Sequence, residues 1–68
     1  MMSLEQAIAL IESIGGMARQ PARSTAVAIF QDGAKDKDFV SAVQAIRDAN
    51  IQVIEIASRE AFNDDDID

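Results

Sequence analysis

The residues of this chain best suited to chemistry lie in two polar stretches, each directly after an apolar run. The first is Gln31-Asp32-Gly33-Ala34-Lys35-Asp36-Lys37-Asp38 and the second is Ser58-Arg59-Glu60. If the apolar runs are parallel strands, both stretches lie beyond the strands' carboxyl ends, where ligands of α/β sheets usually bind. Lys35 or Lys37, together with the N-terminus of a following helix, would suit a phosphate. Asp32, Gly33, Lys35, Lys37, Ser58 and Arg59 are therefore the candidate ligand or partner loop. Two features argue for an ordinary capped loop instead. Gly33 stands alone, so neither the Walker nor the dinucleotide pattern is present. Asp32, Asp36 and Asp38 would compete with any anion.

Catalytic material is scarce. The chain has no cysteine and no histidine, which removes thiol nucleophiles, imidazole bases, disulfides and zinc-finger chemistry together. Ser13, Ser24, Ser41 and Ser58 have no imidazole to activate them, and most carboxylates fall on expected wet positions. The chain is not expected to be an enzyme, and no cofactor is expected. The terminal Asn63-Asp64-Asp65-Asp66-Ile67-Asp68 offers oxygen donors to a hard cation. It lacks the spacing, turn glycine and distal Glu of a calcium loop, so it reads as a solvated acidic tail and no metal site is assigned. Arg19 and Arg23 form the one locally basic stretch. They are a candidate contact for an anion or an acidic partner, with solvation or pairing to nearby acids as the plain alternative.

Positioning these groups falls to a strand-helix-strand unit over 24–57. Ser24–Gln31 and Ile51–Ala57 are short and rich in β-branched residues, as strands are. Val27 and Ile29 fall on one face of the first, with Ala26, Ala28 and Phe30 on the other. Neither face is polar, as in a strand covered on both sides. Asp36–Asn50 is long enough for a crossover helix, so the strands should be parallel with a right-handed connection. Its buried stripe is Phe39, Val40, Val43 and Ile46, with Ala42 and Ala49 as candidate members, and Asn50 suits the left-handed position at its end. Glu55 is the polar intrusion in the second strand. It marks an edge, an exposed end or a paired carboxylate.

Before this unit, Ser3-Leu4-Glu5-Gln6 reads as a capping box. It opens a helix with Leu4, Ala7, Ile8, Ile11 and Ile14 on one face, stopped by Gly15-Gly16. Met1 and Met2 are expected to be unstructured, and Met17–Arg23 to be a connector. Ser58 is expected to cap a short helical turn anchored by Phe62. The fold class is thus α/β, in the order α-β-α-β with a short closing helix. Residues 1–62 form a single domain and 63–68 a flexible acidic tail. The strand-helix-strand segment broadly resembles one slice of larger doubly wound or anticodon-binding-type domains. It covers half the chain without a defining motif, and no function is transferred from it.

Size and charge bound the function. A chain of 68 residues buries only roughly 60% of its unfolded surface, and two strands make a poor sheet. Without cysteine or histidine, the expected supplement is a second copy. The two copies would join sheet edges or stack apolar faces about a two-fold axis. Net charge is −6, and removing the four tail aspartates leaves −2. Nucleic acid and anionic lipid are therefore not expected partners. No segment approaches the roughly 20 apolar residues of a membrane span. Glu5 and Glu12 interrupt any signal-like opening, so a cytoplasmic setting is expected. The function expected on these grounds is a small acidic protein-protein interaction module (regulator, adaptor or inhibitor) acting as a homodimer. The alternative is a ligand-binding or enzyme-accessory subunit using the strand-end loops. The sequence names neither partner nor pathway.

Overall fold

The computed structural model describes residues 2–22, 24–31 and 37–63. In chain order the elements are α1 (Leu4–Ser13), β1 (Gly16–Arg19), β2 (Val27–Gln31), α2 (Lys37–Asp48), β3 (Val53–Glu55) and α3 (Arg59–Phe62). The strands form one sheet in the order β1-β2-β3. β1 runs antiparallel to β2, with Met17 opposite Phe30, and β3 runs parallel to it, with Ala28 opposite Ile54. The expected parallel unit is therefore present, with α2 as its crossover. The small α/β class holds, but the sheet has three strands rather than two.

The extra strand, Gly16–Arg19, runs from the second stop glycine into Met17–Arg23, which the sequence suggested was a connector. Two adjacent glycines place it, each for its own reason. Gly15 adopts φ +88°, the left-handed geometry that turns the chain out of α1. Gly16 then passes directly under that helix. A β-carbon there would lie 2.6 Å from Ile11 Cγ2 and 3.3 Å from Phe39 Cε1. The strand is thus pressed against α1 because it begins without a side chain.

α1 starts as its sequence dictates. Ser3 Oγ accepts the Gln6 N–H at 3.1 Å and Gln6 Oε1 accepts the Ser3 N–H at 2.8 Å, a reciprocal capping box. Met2 is not loose, as expected of it, but packs with Ile8, Leu10 and Ile14 against the core. β2 begins at Val27, inside the Ser24–Gln31 run, since the Ser24 hydroxyl accepts the Ala26 N–H at 3.0 Å and diverts it from the ladder. α2 ends in a Schellman arrangement. Asn50 has φ +65°. Its N–H donates to Arg47 O at 2.9 Å, and that of Ile51 to Ile46 O at 3.3 Å, which satisfies carbonyls the helix leaves unpaired.

The central strand divides two unequal layers. Val27 and Ile29 face α1 and α2, in a cluster with Ala7, Ile11, Phe39, Ala42, Val43 and Ile46. Ala28 and Phe30 face the other way, in a cluster with Phe62 of α3 against which Met17, Ile54 and Ile56 pack. The alternation read from the sequence is the alternation observed. Val40, expected in the buried stripe of α2, is instead 57% exposed. No polar or charged residue is buried among the described residues.

Candidate functional site

At the carboxyl ends of β2 and β3 lies a cavity of about 300 Å³, lined by Ile29, Phe30, Gln31, Phe39, Glu55, Ile56 and Ala57. This is the sheet end at which the sequence placed a ligand loop. The candidate residues distribute unevenly around it. Asp32, Gly33 and Lys35 lie outside the described residues. Lys37 is the exposed first residue of α2. Ser58 Oγ accepts the Ala61 N–H at 3.1 Å, so its hydroxyl caps α3. Arg59 turns onto the α3 side of the sheet, with Nη2 3.7 Å from Met17 Sδ. Of the six residues, none lines the cavity among those described. Its described walls come from the end of β2, from Glu55 and the two residues after β3, and from Phe39 of α2. Gln31 lines one side, and its Oε1 is buried without a hydrogen-bond partner.

Glu55 resolves as a paired carboxylate at an exposed edge. Arg47 Nη2 donates to its Oε2 at 2.8 Å, across from α2 to β3. Both side chains are open to solvent, 48% and 37% exposed, which limits such a pair to about 1 kcal/mol or less.

The second candidate surface is the α3 side of the sheet. Phe62 is buried against Phe30, with ring centroids 6.3 Å apart. The Arg19 guanidinium stacks 5.2 Å from the Phe62 centroid, and Met17, Ile54 and Ile56 remain half-buried around them. Arg19 is therefore part of β1 and of this face, not of a basic connector. Arg23 lies outside the described residues. The sequence pointed to Phe62 as the anchor here but placed Met17 in a connector. The available signal was the alternation of Gly16 and Ala18 against Met17 and Arg19, too short to read as a strand without knowing its partner.

Among the described residues, no group of three carboxylate, histidine or cysteine side chains is placed to hold a metal ion. None of the described helices is long and apolar enough to cross a membrane. The fold and surfaces define a small α/β domain with a mixed sheet and unequal helical cover. Comparison of the chain with protein-family models, curated proteins and solved structures returns no match.

Proposed function

We propose that the chain is a small acidic interaction module that acts as a homodimer and binds another protein through the α3 side of its sheet. The observation that supports this is the unequal cover. One face lies under two helices of ten and twelve residues, and the other under a single helix of four. Met17, Ile54 and Ile56 are left half-buried beside Phe62 as a result. Covering them with a partner would return apolar area to a core that a chain this short builds only narrowly. The support no longer includes a two-stranded sheet, because β1 supplies the third strand. It also excludes Val27 and Ile29, which one copy hides to 0% and 1% exposure. A cytoplasmic setting goes with this reading.

Sedimentation velocity across the micromolar range tests the self-association. A reversible dimer is expected, strengthened by added salt because each copy carries a net charge of −6 and salt screens like-charge repulsion. A folded monomer at every concentration would overturn the homodimer.

The cavity at the strand ends favours one alternative, a ligand-binding or accessory subunit. Its volume is at the lower bound for small-molecule sites. Inorganic phosphate titrated into the chain and into the Lys35→Ala, Lys37→Ala double variant separates the readings. Phosphate binding that depends on both lysines, with self-association unchanged, would favour the alternative.

A further inference from the structure

We propose that two copies of the chain dimerise by exchanging α3, so that Phe62 of each copy fills the seat built by the other. This inference rests on the homodimer reading above and names the segment that joins the copies. The seat is the α3 side of the sheet. There Ala28 and Phe30 form a cluster with Phe62, and Met17, Ile54 and Ile56 pack against it. Its fit to this helix is visible within one chain. The Phe30 and Phe62 ring centroids lie 6.3 Å apart, and the Arg19 guanidinium is 5.2 Å from the Phe62 centroid. A second copy presents the same helix, so exchange keeps these contacts and needs no new ones.

α3 is built as a detachable arm. Within residues 57–63 only Phe62 is buried, and its neighbours on both sides are exposed. The helix carries its own hydrogen bonds with it. The Ser58 hydroxyl accepts the Ala61 N–H, while Phe62 and Asn63 donate their N–H groups to Ser58 O and Arg59 O. Ile56 donates its N–H to Ile29 O at 2.9 Å, which pins the chain to the sheet just before the arm. Among the described residues no backbone hydrogen bond joins 57–63 to the rest of the chain. Release of α3 therefore breaks side-chain contacts alone, and the larger core beneath α1 and α2, a separate cluster, stays closed.

The hinge is short. Only Ala57 and Ser58 separate Ile56 from α3. Ser58 is already extended, with φ −138° and ψ 149°, and the chain bends at Ala57. Straightening that one residue continues β3 into an extended arm with α3 at its tip. Hinges this short favour exchange between copies. Two extended residues span about 7 Å, so the two seats must be close neighbours about a two-fold axis. Ile56, half-buried and next to the hinge, then lies beside that axis. The face offered to another protein is rebuilt whole, from the sheet of one copy and the helix of the other.

The chain has no cysteine, so an introduced pair reports which copy supplies the helix. Arg59 Nη2 lies 3.7 Å from Met17 Sδ, and the variant carrying both Met17→Cys and Arg59→Cys places one thiol on the seat and one on the arm. Treated with a short bismaleimide where the parent is dimeric, it is expected to run as a covalent dimer on a denaturing gel. Two hinge variants test the same exchange without cysteine. Deleting Ala57 leaves α3 too short a tether to fold back and is expected to tighten dimerisation at least about tenfold. Inserting three glycines after Ala57 relaxes the fold-back and is expected to weaken it at least about tenfold. A covalently closed monomer from the cysteine pair, or hinge variants that dimerise as the parent does, would overturn the exchange while leaving a homodimer standing. A parent chain that stays monomeric at every concentration removes both proposals. If the cysteine variant does not fold, the two hinge variants decide.

Discussion

Gly16→Ala isolates the contact that sets β1 beneath α1. The added methyl carbon would meet Ile11 Cγ2 at 2.6 Å, Ile11 O at 3.3 Å and Phe39 Cε1 at 3.3 Å. Ile11 is fully buried and Phe39 is 2% exposed, so neither side chain can swing into solvent. The strand must shift or the helix must lift, and overpacking of this kind costs about 1–3 kcal/mol. A domain of 68 residues holds roughly 3–10 kcal/mol in total, so the loss is a large share. Urea denaturation followed at 222 nm would show it as a lowered midpoint with an unchanged slope. The mechanism is tested by the Ile11→Ala background. That change alone costs about 2–5 kcal/mol as a cavity, but it removes the clashing atom and leaves room for the new methyl. The double variant is therefore expected to be more stable than the sum of the two losses, by about 1 kcal/mol or more. Additivity within about 0.5 kcal/mol, the behaviour of independent sites, would refute the steric account. Gly15→Ala serves as a contrast. Nothing lies within 4 Å of its added carbon, yet φ is +88°, so its cost of about 1–2 kcal/mol is backbone strain and Ile11→Ala should not relieve it.

Three further perturbations address other parts of the fold. Phe62→Ala removes the anchor of α3 and the ring beneath Arg19. Chemical denaturation should show a loss of about 3 kcal/mol, and a loss below about 0.5 kcal/mol would mean that α3 is not docked. Asn50→Gly relaxes the left-handed φ of +65° and should leave the thermal midpoint equal or raised, whereas Asn50→Ala should lower stability by about 1 kcal/mol. Arg47→Ala breaks an exposed bridge to Glu55 and should cost no more than about 1 kcal/mol, less at high salt. A larger, salt-independent loss would show that the bridge is not a surface pair.

What the sequence made legible was what neighbours along the chain decide. The Ser3-Gln6 box, the Ser58 cap and the left-handed Asn50 each depend on a few adjacent residues, and each is found in place. The two faces of β2 were legible because Val27, Ile29, Ala28 and Phe30 alternate with the period of a strand. β1 was not legible, because Gly-Met-Ala-Arg has little intrinsic preference for an extended chain. It becomes a strand through pairing with β2 and contact with α1, which lie outside any local window. Val40 was misplaced because helical spacing alone does not say how wide the covered stripe is. At the strand ends, the described wall of the cavity includes Gln31, Glu55 and Ile56, while Asp32, Gly33 and Lys35 lie outside the described residues. Ser58 and Arg59 are committed instead to capping α3 and to the side of Met17.

The lopsided layering carries a consequence for opening motions. α3 is held by the Phe62 ring against Phe30 and Arg19, by the contact of Arg59 with Met17 and by its own cap, so residues 58–63 can lift away without breaking the sheet. Local release of this kind needs far less free energy than global unfolding. Deuterium should therefore enter the amides of Ala61 and Phe62 early, while those of Val27 and Ile29, sealed between α1, α2 and their neighbouring strands, wait for the whole molecule to come apart. A protease would find its first cut near the same carboxyl-terminal turn and leave the rest of the fold standing.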